Sequence, residues 1–276
     1  MRAKIKFTEL GRRMLKWIPN ALTLCNSLCG FAAILYSFRA FETRLGGSGC
    51  LFEGADMKYF FVAAFLIFCA MIFDAMDGLA ARLLNAASLH GIQMDSLSDM
   101  VTFGVAPAVL VVMVTESLYN WHSVHPVFVY VCSAIYLGGA ALRLATYNVA
   151  AMNNDGKKNP NWFSGMPSPG AAAALCVAVF VMPGFRDFFK AYPLILPVYA
   201  ALLGILMVSG IPYLHAGRFL MSVKRNPKRL ILLVLVILAA AIFRYSGVAV
   251  VVTLYVFSGP VTGIYNLLSR KGTSEA

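Results

Sequence analysis

The sequence predicts an all-α fold, a polytopic bundle of membrane-spanning helices. The chain is 60% hydrophobic and only 13% charged, with a mean hydropathy of +0.74. Its apolar residues also gather into long runs separated by short polar stretches. A soluble domain needs a far more polar surface than this composition can provide. A helix that crosses a bilayer needs about 20 mostly apolar residues, so the runs predict membrane helices.

About eight transmembrane helices are predicted from these runs. They cover residues 18–38, 58–80, 98–115, 127–146, 169–183, 192–213, 229–244 and 247–267. The last two are short and adjacent, which is compatible with a tight hairpin.

Residues 1–17 precede the first run and alternate basic with apolar side chains. This pattern predicts an amphipathic helix on the membrane surface, and a solvated basic tail is the alternative. The remainder, residues 18–276, has no fixed repeat or low-complexity segment and is predicted to form one transmembrane domain.

The net charge of +11 does not indicate nucleic-acid binding, because the basic residues lie between the apolar runs rather than along one face. Most of them fall at the N-terminus and in alternate loops, such as "VKRNPKR" at 223–229. The positive-inside rule then predicts that both termini and the loop between the second and third helices are cytoplasmic. The six cysteines are scattered, so neither a disulfide framework nor a zinc site is predicted.

Four aspartates interrupt the apolar pattern between residues 73 and 103, in "FDAMDGLAARLLNAASLHGIQMDSLSDMVTF". Asp74 and Asp77 are three residues apart, and Asp95 and Asp99 are four apart, so each pair lies on one face of its helix. Gly91 and its polar neighbours suit a turn between the two helices, which would bring the acidic faces together. Such an all-oxygen cluster favours hard divalent ions such as Mg²⁺ or Mn²⁺.

Two other interpretations of the acids are solvated residues that mark helix ends and a proton or sodium relay of a transporter. Gly78 and Gly91 allow backbone to approach a bulky ligand, and Arg82 adds a cation near the acids. Paired metals with an arginine favour a phosphorylated ligand over a bare ion.

The spacing D-x2-D-G-x2-A-R-x8-G-x3-D-x3-D resembles the signature of the CDP-alcohol phosphatidyltransferase family. Every fixed position is filled, by Asp74, Asp77, Gly78, Ala81, Arg82, Gly91, Asp95 and Asp99. Further stretches resemble the membrane-embedded bacterial branch that uses serine as acceptor: "IPNALTLCNSLCGF", "SLSDMVTFGVAPA", "LRLATYN" and "FSGMPSPGAAA". The chain departs from that branch at Thr146 and Tyr147, where the familiar motif has Arg-Phe.

The resemblance implies transfer of a phosphatidyl group from CDP-diacylglycerol to L-serine, with two divalent ions and a homodimer in a bacterial plasma membrane. The four aspartates would be the metal ligands, and Asp99 would also be the general base unless the proton leaves through water. The expected donor-binding residues are Asn20, Thr23, Asp74, Gly78, Ala81, Arg82 and Gly91, although Asn20 and Thr23 equally suit helix capping.

Arg143 is expected to bind the serine carboxylate, or else to set topology at the interface, and Asn148 and Ser168 are expected to contact the serine amine or hydroxyl. Two alternatives stay open at this point. One is the same family with glycerol 3-phosphate, inositol phosphate or choline as acceptor, and the other is an ion-coupled transporter.

Overall fold

The structure, a computed structural model, describes residues 2–46, 56–84, 88–118, 126–152, 162–214, 252–256 and 258–259. Long helices account for most of this part of the chain. In chain order the helices are α1 (Arg2–Gly46), α2 (Asp56–Leu83), α3 (Leu89–Asp99), α4 (Ala106–Leu118), α5 (Pro126–Met152), α6 (Ser168–Val181), α7 (Arg186–Ala191) and α8 (Ile195–Val208). A π-helical segment (Met100–Val105) joins α3 to α4, and a 3₁₀ turn (Met182–Phe185) joins α6 to α7.

Five stretches of the described chain are long and apolar enough to cross a membrane. They are Trp17–Thr43, Met57–Ala81, His90–Leu118, Pro126–Val149 and Ser168–Phe185. These spans confirm the first five predicted helices. The sixth prediction, 192–213, corresponds to the shorter apolar helix Ile195–Val208. The seventh, 229–244, lies outside the described residues, and the eighth is represented only by 252–256 and 258–259.

A small antiparallel ribbon is the one departure from an all-α architecture in the described chain. Strand β1 (Trp162–Ser164) pairs with β2 (Pro212–Leu214), with Phe163 opposite Tyr213. Strand β1 comes just before α6 in the chain, and β2 comes just after α8. Their pairing therefore holds the start of α6 near the end of α8.

The third span begins about eight residues earlier than the hydropathy pattern predicts. Ser88 caps α3, because its hydroxyl accepts a hydrogen bond of 3.0 Å from the backbone N–H of Gly91. Gly91 therefore lies in the first turn of α3, and its assignment to a connecting turn was wrong. Polar side chains at the end of a membrane helix lower the local hydropathy without ending the helix, which explains the error.

Helix α1 packs along α2 and also contacts α3, the π-helical segment and α4. The interior is apolar, with Phe60, Ile67, Phe103 and Leu110 fully buried. Tyr136 of α5 is fully buried as well, and its hydroxyl donates a hydrogen bond of 2.8 Å to the carbonyl oxygen of Phe103. This bond satisfies a buried hydroxyl and joins α5 to the π-helical segment.

Two glycines face one another where helices α5 and α8 cross. A Cβ atom on Gly139 would overlap the carbonyl oxygen of Gly204, and one on Gly204 would lie 2.6 Å from the carbonyl oxygen of Ile135. Small residues permit this close approach of helix backbones, which is a common way for membrane helices to associate.

The Gly139→Ala variant is expected to destabilise this crossing, because the added methyl group overlaps the α8 backbone. Overpacking of this kind costs about 1–3 kcal/mol, so the melting temperature of the detergent-solubilised protein should fall. Gly138→Ala is the matched control, since its Cβ would meet nothing within 4 Å and alanine favours a helix. Equal melting temperatures for the two variants would contradict the proposed packing.

Candidate active site

Three of the four aspartates form a compact group. One carboxylate oxygen each of Asp74, Asp95 and Asp99 lies within 4.8 Å of the others. Asp74 lies on α2 and the other two lie on α3, so the predicted meeting of the two acidic faces is confirmed. Asp99 is buried, with 9% of its surface exposed, and the other two are half-buried.

Asp77 is not one of these three mutually close acids, although it lines the same cleft as Asp95, and it bonds to α1. It is 5% exposed, and its Oδ2 accepts a hydrogen bond of 2.7 Å from the hydroxyl of Thr23. The Thr23 hydroxyl also lies 3.0 Å from the carbonyl oxygen of Pro19. A neutral donor therefore stabilises this carboxylate inside the bundle.

Three further hydrogen bonds join α1 to α3 and to the π-helical segment that follows it. Ser98 donates to the carbonyl oxygen of Thr23 at 2.9 Å, and Thr102 donates to the carbonyl oxygen of Asn26 at 3.1 Å. The side-chain amide nitrogen of Asn26 donates to Oδ1 of Asp99, also at 3.1 Å. Both helix backbone and side chain on α1 thus contribute to the position of the acids.

Close backbone contact makes these bonds possible. A Cβ atom on Gly30 would lie 2.5 Å from the hydroxyl oxygen and 2.8 Å from Cα of Thr102. A larger residue at position 30 would therefore push α1 away from the π-helical segment.

Sequence reasoning named Asn20 and Thr23 but missed Asn26. These three residues recur at intervals of three, which places them along one side of α1. This spacing was the available signal that Asn26 belongs to the same polar face.

An open cleft with a volume of ≈ 180 Å³ adjoins the acids, between α1, the end of α2 and the start of α3. Its lining includes most of the residues expected to bind the donor. The complete lining is Pro19, Asn20, Thr23, Asp77, Gly78, Ala81, Ser88, Gly91, Ile92 and Asp95. Asp74, also expected to bind the donor, belongs to the acidic group and does not line this cleft. Arg82 lies in the last turn of α2, and its side chain lies outside the described part of the structure.

The acidic group suits a divalent cation. Its ligand atoms are all carboxylate oxygens, the donor type preferred by Mg²⁺ and Mn²⁺. Oδ1 of Asp95 is buried and has no hydrogen-bond partner within the described chain. A buried carboxylate oxygen without a partner is costly, and a bound cation would satisfy it.

The residues expected to bind the acceptor lie on α5 and at the start of α6. Nε of Arg143 donates to the carbonyl oxygen of Met166 at 3.3 Å, and its guanidinium carbon lies 6.0 Å from the ring centre of Tyr147. Ser168 is buried at the first position of α6. Asn148 bonds to α3, because its Oδ1 accepts a hydrogen bond of 2.8 Å from the hydroxyl of Ser96. The structure thus joins Arg143 to the backbone of Met166, two residues before Ser168, and joins Asn148 to the helix of the acids.

The chain belongs to the CDP-alcohol phosphatidyltransferase family, whose match covers residues 16–211. It is therefore an integral membrane enzyme of phosphatidyl transfer rather than an ion-coupled transporter. The recognition of this family from the aspartate signature is confirmed.

Relatives along most of the chain carry more specific names. A protein of Helicobacter pylori (strain J99), CDP-diacylglycerol–serine O-phosphatidyltransferase, is 29% identical over 90% of this chain and 91% of its own. A protein of the same name from Bacillus subtilis is 32% identical over 73% of this chain and 92% of its own. The archaetidylserine synthase of Methanothermobacter thermautotrophicus is 29% identical over 71% and 69% of the two chains.

Thr23→Val is expected to weaken use of a CDP-linked lipid, because it removes the donor to Asp77 while keeping the side-chain shape. A hydrogen bond to a charged group is worth about 1.5–3 kcal/mol, so kcat/KM should fall about tenfold or more. Release of the nucleotide product by the purified enzyme measures this change. Thr23→Ser retains the hydroxyl and should retain most of the activity, and an equal loss in both variants would contradict the role of the bond.

Proposed function

We propose that this enzyme transfers the phosphatidyl group of CDP-diacylglycerol to the hydroxyl of L-serine, giving phosphatidylserine and CMP. The observation that carries the proposal is the group of three carboxylates beside a cleft lined by the family signature. The names of the Helicobacter and Bacillus relatives support serine as the acceptor.

Asp74, Asp77, Asp95 and Asp99 are proposed to bind two divalent ions, Mg²⁺ or Mn²⁺. Asp74, Asp95 and Asp99 already lie close together, and Asp77 would join them from its position beside the cleft. The bound ions would neutralise the diphosphate and stabilise the departing CMP. Both the identity of the ions and their number are part of the proposal.

The cytidine diphosphate is proposed to occupy the cleft, with contacts to Asn20, Thr23, Gly78, Ala81 and Gly91. Gly91 lines this cleft. A Cβ atom there would be tight only against the hydroxyl oxygen of Ser88, at 3.2 Å. Because glycine has no side chain, the ligand would be able to approach the backbone at this position. Arg82 would add a cation for the phosphates, and Asp74 would contact the donor from the acidic group.

During transfer, the serine oxygen bonds to the phosphorus that carries diacylglycerol, and the bond from that phosphorus to the CMP oxygen breaks. Asp99 is proposed to accept the hydroxyl proton as general base. Its burial and its bond to Asn26 fix the carboxylate in the acidic group. The alternative route for the proton is through water.

Serine is proposed to bind between α5 and α6. The guanidinium of Arg143 suits the serine carboxylate, and Asn148 and Ser168 would contact its amine or hydroxyl. The bond between Asn148 and Ser96 supports this location, because Ser96 lies next to Asp95 on the helix of the acids.

The membrane arrangement is proposed from charge and hydropathy. Both termini and the acidic site would face the cytoplasm, about eight helices would cross the plasma membrane, and residues 1–17 would lie on its surface. Residues 18–276 would form one transmembrane domain, and the enzyme would be a homodimer. Lipid tails would remain in the leaflet while serine arrives from water.

The purified enzyme is expected to release CMP in the presence of CDP-diacylglycerol, L-serine and either Mg²⁺ or Mn²⁺. A panel of serine, glycerol 3-phosphate, inositol phosphate and choline, each with the same donor and metal, measures acceptor choice by CMP release and lipid product. Serine should give the highest kcat/KM. Equal or faster release with another acceptor would overturn the serine assignment and leave the family assignment intact.

Asp99→Asn is expected to abolish CMP release, because an amide cannot accept the hydroxyl proton. Binding of CDP-diacylglycerol, measured on the same preparation, should change little. Asp187→Asn on α7 is the control, since this exposed acid lies outside the site. Loss of donor binding in Asp99→Asn would show that the residue serves only as a metal ligand and would remove the support for its second role as the base.

A further inference from the structure

We infer that Asn26 is a positioning residue of the metal centre, which orients the Asp99 carboxylate for a divalent cation through its side-chain amide. The inference rests on the proposal that the acidic group binds such an ion. It adds a residue from α1, outside the aspartate signature of residues 74–99.

The contact between Asn26 and Asp99 is direct and shielded from water. Asn26 is fully buried and Asp99 is 9% exposed, and Nδ2 of the amide lies 3.1 Å from Oδ1 of the carboxylate. A carboxylate oxygen only accepts hydrogen bonds, so the amide must present its NH₂ group to it. The chemistry of Asp99 therefore fixes which way the Asn26 side chain points.

The oxygen of the same amide, Oδ1, is buried and has no hydrogen-bond partner among the residues that the structure describes. A buried polar atom without a partner costs about 1–3 kcal/mol. Packing alone therefore explains an asparagine at this buried position poorly, and within the described chain the side-chain hydrogen bond of Asn26 goes to a carboxylate of the acidic group.

The backbone around Asn26 is held firmly enough for such a role. Its carbonyl oxygen accepts a hydrogen bond from Thr102, and Gly30, one turn further along α1, packs against Thr102. The Cα of Asn26 is therefore fixed relative to the segment that follows Asp99.

Groups that orient metal ligands usually affect ion affinity strongly, and their removal costs about 10–100-fold. Asn26→Leu removes both polar atoms while nearly keeping the side-chain shape. The dissociation constant for Mn²⁺, measured by electron paramagnetic resonance on the full-length protein in detergent, should rise at least tenfold. The increase in melting temperature caused by Mn²⁺ should shrink in parallel.

Tyr136→Phe is the matched control. It also deletes one buried hydrogen bond to the chain after Asp99, the bond to the carbonyl oxygen of Phe103, but it leaves Asn26, Asp99 and the bonds of α1 in place. This variant should bind Mn²⁺ within about twofold of wild type. A comparable loss of affinity in both variants would indicate general loosening of the bundle and would overturn the inference.

A double-mutant cycle tests whether Asn26 acts through Asp99. In an Asp99→Asn background, Asn26→Leu should weaken Mn²⁺ binding far less than it does in wild type, because the carboxylate that it orients is gone. Additive losses would contradict a positioning role.

The outcomes also separate this inference from the proposed function. Unchanged Mn²⁺ affinity in Asn26→Leu overturns only the role of Asn26. Failure of the wild-type protein to bind Mn²⁺ overturns the metal proposal and the inference with it. The acceptor panel compares alcohols in the wild-type enzyme, so its result does not depend on Asn26.

Discussion

Repulsion among carboxylates that are gathered within apolar helices is the constraint on which the rest of this structure depends. A charged side chain that is taken out of water into an apolar interior is costly, and placing several together adds their mutual repulsion. Neutral donors of α1 moderate that cost, because Thr23 bonds Asp77 and Asn26 bonds Asp99. Such donors stabilise the acids without cancelling their charge, which leaves the charge available to a cation.

The need to keep α1 against the acids explains the close contact at Gly30 and the hydrogen bonds beside it. Gly30 lets the backbone of α1 approach Thr102, and hydrogen bonds from Ser98 and Thr102 to α1 carbonyl oxygens connect the helices at that contact. At a separate contact, Gly139 and Gly204 allow α5 and α8 to come together. The protein therefore combines close helix contacts, which need small residues, with a site that needs polar ones.

The membrane helices and the acidic group were largely predictable from the sequence, for a physical reason. The bilayer fixes the length and the apolar composition of a transmembrane helix. Helix geometry places residues four apart, such as Asp95 and Asp99, on the same face. The start of α3 was not predictable from hydropathy, because Ser88 caps a helix whose first turns are polar. The pairing of Phe163 with Tyr213 joins segments far apart in the chain, and no local pattern indicates it.

The hydrogen-bond partners of the side chains in the site could not be predicted from local sequence patterns either. Asn26 and Ser96 read as ordinary polar residues in the sequence, yet they bond Asp99 and Asn148 across 73 and 52 positions of the chain. Separations of this kind depend on how the helices pack, which spacing within one helix does not specify.

The π-helical segment from Met100 to Val105 has a consequence for the geometry of the whole third span. A wider turn shifts the phase of the following helix relative to a continuous α-helix, in which each residue advances the azimuth by about 100°. The acids before the segment and the apolar residues after it can therefore face different directions, and α4 contacts α2, α6 and α8 in addition to α1 and α5. The direction in which the aspartates of α3 point is thus set separately from the direction in which α4 packs, although both belong to one continuous span.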